Sequence, residues 1–196
     1  MGEFQLYLIL GKDHILDYVN GYDHILFVVA LCAVYVTRDW KKILILVTAF
    51  TIGHSITLAL ATLDIIQVNT KLVEFLIPVT IFITAFSNLF IKEDRISTRP
   101  IHTNYLLALF FGLIHGMGFS SYLKAILGKD QTIATQLLAF NLGLEFGQII
   151  IVGIFMLFSF ILITVLGVRQ RDWNLVVSSA IAGISLMLIT QTEYWN

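Results

Sequence analysis

Six ionisable side chains lie within segments of the sequence that are otherwise apolar enough to span a bilayer. They are Asp23, His24, His54, Glu74, His115 and Glu145. An ionisable group at membrane depth is costly unless it is paired, bound to a metal or in a water-filled cavity, so each is a candidate for function. Because these residues are spread over several segments, we predict one shared site assembled from different helices.

These residue types suit first-row divalent metal ions. Imidazole and carboxylate ligands bind Zn²⁺, Ni²⁺, Co²⁺ and Fe²⁺, whereas the single Cys32 allows neither a disulfide nor a cysteine-rich centre. A hydrogen bond to a neighbouring helix would explain any one of the histidines, but not the whole set. We therefore predict a metal site whose ligands are His24, His54, His115 and Glu145, with Asp23 beside His24.

Three other side chains have two interpretations each. His14 is either solvated at the membrane interface or part of an entry site, and Glu74 either supports the site or pairs with Lys71. Ser55 follows His54, but neighbours in a helix point about 100° apart, so His54 is not placed to deprotonate it. We expect Ser55 to form a hydrogen bond between helices.

Polar and small residues recur at helical spacing near Glu145. Asn141, Glu145 and Gln148 are spaced i, i+4 and i+7, which places the acid between two amides on one face. Glycine pairs at positions 143/147 and 112/116 allow helices to approach closely, as short ligands on different helices require, although packing alone would also explain them.

Composition predicts an all-α, polytopic membrane protein. Of the 196 residues, 58% are hydrophobic and 13% charged, and the mean hydropathy is +0.87. A soluble domain is about one-quarter charged. The net charge of −1 gives no reason to expect nucleic acid as a partner. We predict one integral membrane domain over residues 1–196, embedded in a lipid bilayer.

Apolar runs and their breaks predict six crossings after an interfacial segment at residues 1–19, within a bundle over residues 20–196. The first residues lack the basic region and cleavage site of a removable signal peptide. The fifth run exceeds a simple span and must tilt, kink or protrude. The crossings are predicted at residues 20–37, 43–66, 72–91, 105–127, 134–166 and 174–192.

The basic residues predict the orientation. Eight of the twelve Lys and Arg residues follow the first, third and fifth crossings, so the positive-inside rule places both termini outside the cytoplasm. His54, His115 and Glu145 then lie near the midplane, while Asp23, His24 and Glu74 lie nearer the outer surface. The cytoplasmic half has no ionisable group, and the site faces the extracytoplasmic side. The eight basic residues are Arg38, Lys41, Lys42, Lys92, Arg95, Arg99, Arg169 and Arg171.

Four ordered motifs carry a resemblance to a known family. The runs HILDYVNGYDHILFVVAL, FTIGHSITLALA, GLIHGMGFSS and FNLGLEFGQ, with VEFLIPVTIF between them, resemble the HupE/UreJ family of bacterial membrane proteins, its second subgroup in particular. The resemblance covers most of residues 10–150. It implies a nickel or cobalt permease in the bacterial cytoplasmic membrane. It also implies functional roles for His14, Asp23 and His24, and for His54, His115 and Glu145.

The sequence departs from the family pattern in two places. The gap between His14 and Asp23 is longer than the five-residue spacer of better-described members, and no second histidine follows His115 and Gly116. Because both differences affect the choice of metal, the sequence does not decide between nickel, cobalt and zinc.

Two main function classes follow. A divalent-metal transporter would take an ion from outside through Asp23 and His24 to His54, His115 and Glu145. An intramembrane metalloenzyme would instead hold a fixed Zn-type ion, with Glu145 as general base, and would hydrolyse a lipid or membrane peptide. A metal-sensing or chaperoning subunit is a third interpretation. We favour transport, and the glycine faces are compatible with a homo-oligomer.

Overall fold

The described part of the chain contains eight α-helices. The computed structural model describes residues 2–19, 21–91, 101–127 and 133–195, with the side chains of residues 101–103 and 127 excepted. These residues form helices and connecting turns without a strand, which confirms the all-helical prediction for this part of the chain. The helices are α1 (Glu3–Leu16), α2 (Tyr22–Cys32), α3 (Trp40–Thr62), α4 (Thr70–Asn88), α5 (Ile101–Gly118), α6 (Ser120–Leu127), α7 (Ile133–Phe160) and α8 (Gln170–Gln191).

Within the described ranges, four helical segments are long and apolar enough to cross a membrane by themselves. α5 and α6 satisfy the same test together, although the chain bends by 47° between them. α2 has 11 residues, about 16 Å of helix, which is shorter than a bilayer core. The structure therefore has four to five candidate spans where the sequence predicted six. The four single spans are Thr37–Thr62, Thr70–Asn88, Ile133–Val165 and Gln170–Gln191.

Glycines bring α3 and α5 into close contact. A Cβ atom at Gly53 would overlap the Leu109 carbonyl, and one at Gly116 would overlap the His54 carbonyl. Gly112 lies equally close to the backbone of Phe50. Successive contacts advance along both helices in the same direction, so α3 and α5 are parallel. The packing places His54 directly against the helix that carries His115.

A second glycine seam joins α1 to α7. Gly143 leaves no room for a Cβ beside the Leu8 carbonyl, and Gly11 lies equally close to the Phe140 carbonyl. Gln136 Nε2 donates to Glu3 Oε1 at 2.8 Å, near the start of both helices. The two helices are therefore parallel, and α1 lies along the first half of α7. The segment predicted to be interfacial is thus packed into the bundle.

Antiparallel α4 and α8 close the other side of the bundle. Asn174 Nδ2 donates to the Asn88 carbonyl at 2.9 Å, and the rings of Phe75 and Tyr194 stack at the opposite end with centroids 4.6 Å apart. Asn88 Nδ2 also donates to the Ala30 carbonyl at 2.8 Å. Because that carbonyl lies in the last turn of α2, the bond fixes the short helix against α4.

Part of the predicted orientation concerns residues outside the described ranges. Lys92, Arg95, Arg99 and Lys129 are among them, as is the side chain of His102.

The predicted fifth crossing corresponds to α7, which continues as a π-helical turn at Ile161–Val165. The chain then turns at Gly167, whose φ of 71° is a conformation that glycine adopts readily.

Candidate metal centre

Three histidines from three helices converge. His14 lies in the last turn of α1, His24 in the first turn of α2, and His54 in the middle of α3. One ring nitrogen from each lies within 4.8 Å of the other two. The ring centroids of His14 and His24 are 4.7 Å apart, and that of His54 lies 6.2 and 6.3 Å from them. We call these three residues the imidazole cluster.

The imidazole cluster is mostly buried, with His14 half-buried at its edge, and it contains several unpaired nitrogen atoms. His24 is 5% exposed and His54 fully buried. Among the described residues, Nε2 of His14, Nε2 of His24 and both ring nitrogens of His54 have no hydrogen-bond partner. Burial of a polar atom without a partner is costly, and several such atoms facing one another would together be more so. A metal ion that accepts their lone pairs removes this cost.

Asp23 orients His24. Its Oδ1 lies 2.9 Å from His24 Nδ1 and also accepts a hydrogen bond of 2.9 Å from the His24 backbone N–H. A carboxylate beside one ring nitrogen favours a proton there, which leaves the lone pair on Nε2. This is the usual arrangement behind a metal-binding histidine, so Asp23 acts on the ion through His24.

His115 lies next to the imidazole cluster. Its ring centroid is 5.3 Å from that of His24. Its Nδ1 lies 2.8 Å from the Phe111 carbonyl, and because a carbonyl only accepts, Nδ1 carries the hydrogen. Its Nε2 is buried without a partner in the described part of the chain. His115 is therefore prepared to bind an ion, although the group of nitrogens within 4.8 Å does not include it.

Glu145 takes a different position from the one predicted. Its Oε1 accepts a 2.7 Å hydrogen bond from Thr48 Oγ1, and it is not a member of the imidazole cluster. One turn later, Gln148 Oε1 accepts from Thr51 Oγ1 at 2.8 Å. The face of α7 that carries Glu145 and Gln148 therefore packs against α3. The glycine-lined face of α7 packs against α1. Asn141 Oδ1 is buried without a partner among the described residues.

Ser55 differs from expectation, whereas Glu74 lies where the first of its two interpretations placed it. Ser55 Oγ donates to the Thr51 carbonyl at 2.6 Å, one turn earlier in the same helix, and not to another helix. Glu74 does not pair with Lys71, whose Nζ lies 3.9 Å from Glu193 Oε2. Glu74 instead lines a cavity of about 140 Å³ together with Asp23, His24 and His115. The cavity connects this acid with the histidines.

Aromatic rings surround the imidazole cluster on two sides. The Phe119 ring lies 3.9 Å from that of His14, and the Phe140 ring stacks 6.4 Å from that of His54. Phe27, Phe50 and Phe111 are almost completely buried and pack together beneath His24 and His115, with ring centroids 5.0 and 5.5 Å apart. We call these three rings the aromatic floor. Sequence reasoning did not identify it, because phenylalanine is ordinary in an apolar helix.

Reasoning from residue types left His14 open between a solvated position and an entry site, and only the family resemblance grouped it with Asp23 and His24. The available signal was Gly11, three residues earlier in the same helix. A glycine inside an apolar helix often marks close backbone approach, and here it faces the Phe140 carbonyl. That contact holds α1 where His14 reaches His24 and His54.

The fold and the imidazole cluster define an all-helical protein with membrane-type helices and a candidate site for a metal ion. The family model described as "HupE / UreJ protein" matches residues 1–196, the whole chain. The chain belongs to the HupE/UreJ family, as its motifs indicated. No curated protein and no solved structure matched the chain.

Proposed function

We propose that this protein is a divalent-metal transporter whose cargo, a Ni²⁺, Co²⁺ or Zn²⁺ ion, binds at the imidazole cluster. The observation that carries the proposal is the convergence of three histidines from three helices, two buried and one half-buried, each with at least one unpaired nitrogen among the described residues. Membership of a family known for nickel and cobalt transport supports the same conclusion.

The donor set suits an ion that must leave again. Three imidazole nitrogens satisfy part of the coordination shell of a first-row ion, and His115 or water completes it. The carboxylate of Asp23 offsets part of the ion's charge through His24. A site of imidazoles and carboxylates without thiolates binds less permanently than a cysteine-rich structural centre, and transport requires such exchange.

Acidic side chains line the approach to the site. An open cleft of about 730 Å³ is bordered by Asp13, His14 and Asp17. The smaller cavity that contains Glu74 adjoins Asp23 and His24 from another direction. Negative charge along such a cleft raises the local concentration of cations. We infer that ions enter through this end of the bundle.

We further propose that α1 and α2 form one broken crossing, which gives six crossings with both termini outside. α1 starts level with the start of α7 and descends beside it, as the pairs Glu3/Gln136 and Ile15/Gly147 indicate. α2 then continues towards the opposite end, where Gln170 Nε2 donates to the Val34 carbonyl at 3.3 Å. Transporters commonly bind their cargo where such a helix is interrupted. His14 and His24 lie on either side of this interruption.

In this arrangement residues 1–196 are one integral membrane domain of the bacterial cytoplasmic membrane. The imidazole cluster opens towards the extracytoplasmic side, because α4 begins and α5 ends at the entry cavities. Glu74 of α4 and Phe119, directly after α5, both line them. This placement replaces the interfacial position predicted for residues 1–19.

The metalloenzyme interpretation has no comparable support. It requires a general base near the ion, and Glu145, the predicted base, accepts a hydrogen bond from Thr48 outside the imidazole cluster. We therefore do not assign a hydrolytic reaction.

Uptake into proteoliposomes tests the transport proposal. We expect saturable uptake of radioactive Ni²⁺ or Co²⁺ by the natural chain and only background uptake by a His14→Ala, His54→Ala variant. Glu193→Gln, which removes an exposed carboxylate that is not part of the imidazole cluster, is the control. Uptake no greater than that of protein-free liposomes, or equal uptake by the histidine variant, would reject the proposal.

A further inference from the structure

The structure contains a second group of polar side chains at membrane depth, where α3 crosses α7. It consists of two hydrogen-bonded pairs, Thr48 with Glu145 and Thr51 with Gln148. We call these four residues the polar crossing. They lie between two helices that are apolar on either side, so their placement together requires an explanation beyond packing.

The hydrogen-bonding capacity of the polar crossing is incompletely used. Among the described residues Glu145 accepts one hydrogen bond, from the hydroxyl of Thr48, although an ionised carboxylate accepts several. Gln148 is fully buried and its Nε2 has no partner in the described part of the chain, but this nitrogen is a donor and only the amide oxygen of Gln148 can face a cation. Asn141 Oδ1, one turn from Glu145, is likewise buried and unpaired within the described ranges. Carboxylate, amide and hydroxyl oxygens facing one region are ligands for a hydrated or partly hydrated cation.

The polar crossing lies beyond the imidazole cluster as seen from the entry cavities. Thr51 and Thr48 precede His54 by three and six residues, about 4.5 and 9 Å along the axis of α3. On α7, Glu145 follows Phe140, whose ring stacks on His54, by five residues. The displacement along both helices points away from the cleft that holds Asp13 and Asp17.

The direct route beyond the cluster is closed by apolar rings. The aromatic floor of Phe27, Phe50 and Phe111 fills the space between α2, α3 and α5. The three rings are 0%, 1% and 4% exposed, respectively. An ion cannot exchange ligands with phenylalanine in a packed core without large cost. The polar side chains between α3 and α7 offer a different route for the ion, beside the aromatic floor.

We propose that the polar crossing is a second, weaker binding position for the same divalent cargo, occupied after the imidazole cluster, with the Glu145 carboxylate as its charged ligand. This inference rests on the proposed transport function, which sets the order in which the ion occupies the two positions. It reassigns Glu145 from the histidine site to a separate position. Thr48 and Thr51 hold the acid and the amide in place through their hydroxyl groups, and Asn141 contributes a free amide oxygen.

The charge of Glu145 can be removed with little change of shape. Glu145→Gln keeps an oxygen that accepts from Thr48 while losing the negative charge, so folding should be preserved. We expect this variant to retain one ion per chain with affinity close to that of the natural protein, and to transport Ni²⁺ at least about tenfold more slowly. Glu193→Gln is the matched control and should transport normally.

A binding measurement separates this inference from the transport proposal. In a His14→Ala, His54→Ala background, titration of the purified full chain with Ni²⁺ should show one weak site, and addition of Glu145→Gln should abolish it. Circular dichroism and size-exclusion profiles verify that each variant is folded.

Three results would overturn the inference. The first is loss of the tight ion in Glu145→Gln, which would make Glu145 a ligand of the imidazole cluster. The second is no weak site in the His14→Ala, His54→Ala background, and the third is unchanged uptake by Glu145→Gln. A natural chain that binds two ions but transports none would reject the transport proposal and leave the second binding position standing.

Discussion

The chemistry of each imidazole is set by what holds its other nitrogen. His24 has its Nδ1 beside Asp23 and His115 has its Nδ1 on the Phe111 carbonyl, so both expose Nε2. His54 has neither nitrogen engaged within the described residues. No hydrogen bond in the described part of the chain therefore fixes the His54 ring, whereas His24 and His115 are oriented in advance. We expect the oriented rings to determine affinity and His54 to determine exchange.

The first prediction concerns Asp23. Asp23→Asn keeps the size of the side chain but removes the charge that orients His24, and loss of such a supporting group typically costs about 10- to 100-fold in metal affinity. Isothermal titration with Ni²⁺ measures the change. Asp172→Asn, in an exposed pair with Arg169 at 2.8 Å, is the control and should bind normally. Equal affinity of Asp23→Asn and the natural chain would show that His24 needs no such support.

At the scale of helices, the two glycine seams position the site. α1 carries His14 and is held on α7, while α3 carries His54 and is held on α5. Backbones this close leave no space for a methyl group, so a small change in the seam moves a whole helix with its ligand. The distances between the histidines of the imidazole cluster therefore depend on the packing at the two glycine seams.

Glycines in one helix provide a matched test. Gly143→Ala would push α1 away from α7, because the new Cβ would overlap the Leu8 carbonyl, and overpacking of this kind costs about 1–3 kcal/mol. Gly153 lies further along α7 with nothing within 4 Å of a new Cβ. We expect Gly143→Ala to lower both the melting temperature in detergent and the Ni²⁺ affinity, and Gly153→Ala to lower neither. Matching behaviour of the two variants would argue against a seam that positions His14.

Sequence patterns predicted the long helices well and the site less completely. The apolar runs of α3, α4, α7 and α8 are long enough to be recognised by hydropathy alone. Hydropathy alone did not identify α1 and α2 as a crossing, because α2 has only 11 residues and α1 contains Lys12 and Asp13 among its apolar residues. The distance between Glu145 and the histidines depends on which face of α7 meets α1, and this is settled by backbone contact at Gly143.

Across the whole molecule, the elements divide into an entry side with acidic clefts, a central group of histidines and a far side with an aromatic floor. Residues from α1, α2, α3 and α5 meet at the centre. Beyond the histidines, the pairs of Thr48 with Glu145 and Thr51 with Gln148 lie beside α7. In the proposed transport function the ion approaches from the acidic side and continues past these pairs.

Accessibility labelling tests the proposed six crossings. In a Cys32→Ala background, single cysteines replace Gly2, Arg38, Arg169 and Glu193, which are all exposed. We expect a membrane-impermeant maleimide added to intact cells to label positions 2 and 193 but not 38 and 169. Labelling of positions 2 and 38 from the same side would show that α1 and α2 together do not cross.

X-ray absorption spectroscopy of the Ni²⁺-loaded natural chain tests most directly whether the imidazole cluster binds the cargo. The structure predicts one nickel per chain with at least three imidazole nitrogens in its first shell, because the ring nitrogens of His14, His24 and His54 lie within 4.8 Å of one another. His54→Ala should remove one imidazole from the spectrum. A shell of oxygen atoms without imidazole scattering would contradict the central claim.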